Sequence, residues 1–326
     1  MICRFLVSVC LAATALSAVK GQDILDEVDQ ALTFSVADDQ VRGRLSGYVD
    51  LEVWHYSGPT PGFLFTSGDD LFNPRLSVFF DTQIGPHLYA FAQARLDRGF
   101  DPQGDTVQTR LDEYAVRWTP WDDGRFSLQA GRFATVVGNW ASRHLSWDNP
   151  FINAPLVYET ITAIYDAEVP ESADAFLEGI TDEPYEYNPV IWGPSYATGL
   201  SVSGRLGKFD YAAEIKNAGL SSRPESWDLG VVNFDHPTFS ARIGYRPTPA
   251  WNMGISGSEG AYLLPETASH LPTGTGLDDF KQQVLGQDIS FAWHHWQLWA
   301  EIYEARFQVP NTGDAECSCC ADGGSG

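Results

Sequence analysis

"LSVFFDTQIGPHLYAFAQARL", residues 76–96, decides the fold. Leu76, Val78 and Phe80 alternate with Ser77 and Asp81, and Arg75 just before them keeps the same rhythm. A Gly85-Pro86 turn follows, and between Leu88 and Leu96 Ala90, Ala92 and Ala94 share one face while Gln93 and Arg95 share the other. Successive side chains of a strand point to opposite faces, so this is a pair of amphipathic strands joined by a tight turn. Each is about ten residues long, the length a tilted strand needs to cross a bilayer.

The same period recurs on both sides. Leu45, Val49, Leu51 and Val53 alternate with Ser46, Tyr48, Asp50 and Glu52, and further segments run over 111–118, 126–133, 198–206, 209–216, 239–246, 251–258, 285–293 and 296–303. Between Arg42 and Phe307 this makes roughly eleven strands of membrane-crossing length. The links alternate in length: short at Gly85-Pro86, 120–124, Gly207-Lys208, 247–250 and His294-His295, long at 57–73, 99–106, 134–196, 218–236 and 262–279. A soluble sandwich has no reason to put all its short turns at one end of its strands, whereas an outer-membrane barrel does. Trp118, Trp251, Trp293 and Trp296 flank the short turns, where an interfacial aromatic girdle belongs. The predicted fold is all-β: an antiparallel transmembrane β-barrel.

The N-terminus carries Arg4, an apolar run from Phe5 to Val19 and small residues at Ala18 and Gly21, the pattern of a cleaved signal peptide over 1–21. No later run reaches the roughly 18 apolar residues of a spanning helix. The expected order is the signal, an N-terminal segment 22–41, the barrel 42–307 and an atypical tail 308–326. Cys3 and Cys10 fall in the signal and Cys317, Cys319 and Cys320 in the tail, so the body has no disulfide framework, and the terminal trio lacks the four spaced ligands of a zinc site. A net charge of −23 excludes a nucleic-acid binder, which needs cations to replace phosphate counterions.

The long segment after the fifth strand begins "SLQAGRFATVVGNWASRHLSWDNPF", residues 127–151. At about sixty residues it exceeds an ordinary link, and its polar backbone is accommodated inside a wide, water-filled barrel, where it narrows the pore. "LQAGRF", with Gln129, Gly131, Arg132 and Phe133, followed by Gly138, resembles the outer-membrane porins related to the phosphate-selective porin O/P group. The resemblance implies a barrel of about 16 strands with its third loop, between strands five and six, folded into the lumen. It also implies a homotrimer and passage of small solutes across the outer membrane of a Gram-negative bacterium. Against that pattern, eleven strands is an odd number, and "NTGDAECSCCADGGSG" at 311–326 lacks a closing strand with a terminal aromatic; the expectation is a C-terminally truncated or frame-shifted chain.

Strand parity turns the barrel into a list of lumen residues. With Leu76, Val78 and Phe80 toward lipid, Arg75, Arg95, Arg117, Lys216, Arg242 and Arg246 face inward. From His144 to Gly204 there is no Lys or Arg, while Asp148, Glu159, Asp166, Glu168, Glu171 and Asp174 lead an acidic series that continues to Glu186. Cations on a wall opposite carboxylates on a constriction loop would set a transverse field. The competing expectation is that the arginines pair with lumen carboxylates such as Glu113, Asp210 and Glu214. Asn139, Trp140, Asn149, Asn153 and Tyr158 offer hydrogen bonds and stacking surfaces to a sugar or small acid, or simply fold the loop. The chain has only four lysines, one of them Lys20 in the signal, so the lysine ladder of phosphate-selective relatives is not carried over.

Two enzymatic readings are weaker. His144 and Ser146 lie two apart, but Asp148-Asn149-Pro150 beside them is turn chemistry and there is no nucleophile elbow. A secreted carbohydrate-binding or glycoside-hydrolysing sandwich would explain Glu183, Glu186 and the aromatics, but not the order of turns. The favoured expectation is passive diffusion through an outer-membrane pore, with no covalent step, catalytic residue, metal or cofactor, and with lipid and small hydrophilic solutes as partners.

Overall fold

The computed structural model describes residues 26–57, 63, 70–98, 107–149, 151, 154–169, 187–224 and 233–310. Twelve strands form one antiparallel sheet: β1 (Thr33–Val36), β2 (Val41–His55), β3 (Asp70–Ile84), β4 (Leu88–Asp97), β5 (Gln108–Trp118), β6 (Ser127–Phe133), β9 (Ala197–Leu206), β10 (Phe209–Lys216), β11 (Thr238–Tyr245), β12 (Trp251–Ala261), β13 (Lys281–Trp293) and β14 (Trp296–Phe307). They pair in chain order, and the only strands outside the sheet among the described residues, β7 (Ile161–Ile164) and β8 (Asn188–Pro189), pair with each other inside the β6–β9 connection. This is a single meander and not a pair of stacked sheets. Eleven strands coincide with the segments of alternating sequence. β1, four exposed residues "TFSV", is too short to carry a readable period.

The register shows which residues share a face. Tyr48 lies opposite Ser77 and Ser77 opposite Arg95, while Arg117, Gln129, Ser201, Glu214 and Ser240 form a cross-strand row. Residues opposite one another share a face. A register shift between Gln93 and Ala94 inserts one extra residue in β5, so Asp112 meets Arg95 and Glu113 meets the backbone of Ala134, both on the inner side.

The two faces are inverted relative to a soluble protein. On the inner face Ser77, Gln93, Asp112, Ser256 and Asp288 are buried, with Asp112 at 0% exposure. On the outer face Val49, Leu51, Phe239, Ile243, Ile255, Leu298 and Ile302 stand exposed, Ile302 at 74%. An apolar surface of this extent is disfavoured in water and favoured in lipid.

Because the links alternate, every short turn lies at one end of the sheet. The aromatics gather there: Trp118, Trp293 and Trp296 are exposed, Trp251 packs on Phe291 at 4.3 Å, and Phe209 on Tyr245 at 5.0 Å. Amphipathic rings at this height suit a membrane–water boundary.

The sheet is rolled around the β6–β9 connection. The amide of Trp140 donates to Glu301 on β14, and the ring of Trp147 packs against Tyr48 on β2 and Phe79 on β3 at 4.7 and 5.0 Å. Seven residues reach at most about 25 Å. The opposite ends of the meander therefore curve toward one another with a loop between them.

Candidate functional site

The site is the inner face and the loop seated on it. β6 ends at Phe133, and the next residues dock one after another on inward-facing side chains. The Thr135 hydroxyl donates to Glu214 at 2.7 Å, and the amides of Asn139 and Trp140 both donate to one oxygen of Glu301, at 2.6 and 2.8 Å. The other Glu301 oxygen accepts the Tyr158 hydroxyl at 2.8 Å, and Tyr158 also meets the Tyr303 hydroxyl at 2.8 Å. Val137, Trp140, Tyr158, Ile191, Leu220 and Val284 close an apolar cluster behind these bonds, with Tyr158 fully buried. This is a small hydrophobic core built between loop and wall, where a simple pore would hold only water.

Gly138 is essential to the turn. Its φ is +73°, in the left-handed region, its amide reaches the Ser256 hydroxyl at 3.3 Å, and a Cβ there would overlap the hydroxyls of Tyr303 and Tyr158. Gly138→Val is therefore expected to destabilise the folded protein by about 2 kcal/mol or more, read by heat-modifiable electrophoretic mobility or a urea melt. An unchanged midpoint would refute the turn geometry.

On the opposite side the loop meets β2 and β3. Glu159, at the end of the single helical turn α1 (Leu156–Glu159), accepts the amide of Ala154 at 2.6 Å. Burial pushes its carboxyl up to about 7, with Glu52 adding to the rise while the Ala154 amide and Arg75 oppose it. His144 is partly buried within the loop. Its Nδ1 donates to the Ala141 carbonyl at 2.6 Å, so its Nε2 accepts from the Tyr196 hydroxyl. Burial and the nearby Arg95 push its pKa down to about 4. Both ring nitrogens are engaged, and neither is available to activate Ser146.

Most of the six basic residues expected along the lumen are paired with carboxylates of the sheet. Arg75 meets Asp50 at 3.3 Å and also contacts Glu52, and Arg95 meets Asp112 at 3.3 Å. Arg242 bridges Asp210 and Asp288 at 2.7 and 2.6 Å, and Arg246 shares Asp210 at 2.7 Å. Lys216 is buried, 3.5 Å from Glu214, and donates to the carbonyls of Phe133 and Ser195 at 2.8 and 3.2 Å. Arg117 alone of the six has no carboxylate partner among the described residues; its Nε donates to Gln129 at 2.9 Å. The pairing expectation thus holds for five of the six.

The loop residues divide similarly. Asn139, Trp140 and Tyr158 serve the docking just described. Asp148 is exposed and accepts the Trp147 indole N–H at 2.8 Å; Asp166 is buried, with its carbonyl accepting the Leu264 amide at 2.9 Å; and Glu168 is exposed. Asn153, Glu171 and Asp174, with Glu178 to Glu186, lie outside the described residues, as do the signal segment and the cysteine tail. In the family-like motif, Gln129 orients Arg117 and Gly131 has φ +138° where a Cβ would strike the Tyr114 carbonyl. Arg132 donates to the Asp112 carbonyl at 3.2 Å, and the Phe133 ring lies 4.7 Å from the Lys216 ammonium.

Sequence reading missed the anchors Glu301, Tyr303 and Asp288, and the buried cluster in which Arg110 contacts Asp97 and meets Asp112 at 2.6 Å. Parity could have found the first three: each is a polar side chain on the inward side of a strand already recognised.

No family model matches the chain, and no curated protein matches it. Among solved structures it is similar to Salmonella typhi OmpF in complex with daunomycin, at 11% identity over 84% of this chain and 82% of that one, with a TM-score of 0.38. It is also similar to Pseudomonas aeruginosa OccK2 (OpdF) in complex with glucuronate, at 11% identity over 83% of this chain and 66% of that one, with a TM-score of 0.34. A third is the trimer form of Vibrio cholerae OmpT, at 9% identity over 82% of this chain and 90% of that one, with a TM-score of 0.26.

Proposed function

We propose that the chain is a porin: an outer-membrane diffusion channel for small hydrophilic or charged solutes. The observation that carries this reading is the inverted sheet, with exposed aliphatic side chains outside and buried carboxylates, amides and guanidinium groups inside. Lipid solvates the first set, and water, ion pairs and the docked loop satisfy the second. Selection is by bore and charge, with the β6–β9 loop narrowing the lumen between itself and the arginine-bearing wall. Passage forms no covalent bond and requires no cofactor.

In this reading residues 1–21 direct export, 42–307 form the barrel, and the outer apolar face meets lipid and the other subunits of a homotrimer. Arg75, Arg95, Arg117, Lys216, Arg242 and Arg246 line the path, with the acidic loop facing them. Since five of the six are paired on the wall, the net field is weaker than six free cations would give.

Reconstitution of the detergent-purified full chain into planar bilayers tests the proposal. Stepwise currents with a salt-gradient reversal potential are expected; a silent protein that stays soluble without detergent would overturn it.

Loop docking should also depend on pH. The Glu159 carboxyl in the folded protein lies above its ordinary value of 4.5. Between that value and about 7 the folded state keeps a proton the unfolded chain has lost, so stability falls as pH rises through this window and levels off above it. Thermal melts from pH 5 to 8 should show this decline in the wild type and a smaller one in Glu159→Gln. Parallel curves would remove Glu159 from the account.

A further inference from the structure

Arg117 has the features of a ligand site more than of a wall contact. It projects inward one residue from the short-turn end of β5, opposite Tyr89 on β4, and is exposed. Gln129 holds its Nε from one side. Its Cζ lies 5.8 and 5.9 Å from the ring centres of Tyr89 and Phe91, which are stacked 5.8 Å apart with 28° between their planes. The guanidinium is thus oriented by an amide and flanked by two rings, while its terminal Nη1 and Nη2 groups hold no hydrogen bond within the described residues. Arg75, Arg95, Lys216, Arg242 and Arg246 spend their charge on wall carboxylates. The open fork of Arg117 is one that the lumen offers an incoming anion.

We propose that Arg117, Tyr89 and Phe91 form a binding site for a monocarboxylate carried on a flat ring. The carboxylate takes the two terminal amino groups in the parallel, bidentate geometry for which guanidinium is suited. The ring of the solute then extends the Tyr89–Phe91 stack. The neighbouring charge sets the valence: the Tyr89 hydroxyl donates to Asp81, so a carboxylate already stands beside the rings and repels a dianion more than a monoanion. The ligand class deepens the channel reading and rests on it for its meaning as a transported solute.

Isothermal titration of the detergent-purified full chain with sodium benzoate, acetate and phosphate tests the site. Benzoate is expected to bind at least about tenfold more tightly than acetate or phosphate. Arg117→Gln should weaken benzoate roughly tenfold to a hundredfold. Phe91→Leu should weaken benzoate several-fold while leaving acetate unchanged, and carries the test should Arg117→Gln fail to fold. Equal affinity for benzoate and acetate, no benzoate binding, or wild-type benzoate affinity in both variants would overturn the site. Potassium chloride currents read the channel separately: steps without benzoate binding sink the site and keep the pore, whereas benzoate binding by a silent protein keeps the site and sinks the pore.

Discussion

Replacing Glu301 by alanine is expected to undock the β6–β9 loop and, in the proposed channel, to raise single-channel conductance. The Glu301 carboxylate is the one acceptor for three donors of the loop, the amides of Asn139 and Trp140 and the hydroxyl of Tyr158, all within 2.8 Å. Each buried donor left without a partner costs about 1–3 kcal/mol, and the apolar cluster of Val137, Trp140 and Tyr158 depends on the same seat. Water entering the lumen offsets part of this cost, so the strands should survive while the loop comes free. Larger, noisier current steps and faster proteolysis within the loop of the still-folded protein are the expected readouts. Glu301→Gln keeps the side-chain shape and one oxygen for the two amides, so its effect should be smaller. An alanine variant with wild-type conductance and a protected loop would show that the apolar cluster alone holds the seat.

The sheet was legible because its signal is repetitive. A period of two sustained through eleven strands, with short and long links in strict alternation, states both topology and which residues share a face, as with Ser77 opposite Arg95 and Arg117 opposite Gln129. β1 escaped because four residues cannot display a period. Parity gives a side chain its direction but not its partner. Arg242 and Arg117 look alike in sequence, yet one is pinned between two carboxylates and the other holds only Gln129, because partners are set by cross-strand register. The inward position of the loop was legible from its length. Its seat was not, since the contact of Asn139 with Glu301 spans 162 residues.

Arg242→Gln should change both stability and ion selectivity, and the pairing geometry says how the two separate. Arg242 donates through Nε and Nη2 to the two oxygens of Asp288 at 2.9 and 2.6 Å, and through Nη1 to Asp210 at 2.7 Å. The Asp288 side chain is 1% exposed, and besides Arg242 it accepts the Asn139 side-chain Nδ2 at 3.4 Å. Removing the cation strands a buried carboxylate, which costs about 3–5 kcal/mol, and leaves one more negative charge on the wall. Asp210 still holds Arg246, so the loss concentrates at Asp288. The reversal potential in a salt gradient should move toward cation selectivity, and further when Arg246→Gln is added. Arg242→Gln combined with Asp288→Asn removes one charge of each sign. It should recover most of the stability and return the reversal potential close to that of the wild type, because a neutral amide pair replaces a neutral ion pair. Selectivity and stability moving together in the single variant and recovering together in the double would place the Arg242–Asp288 pair on the ion path. Lost stability with an unmoved reversal potential would mean that ions pass elsewhere and that the pair serves only to hold the β11–β13 wall.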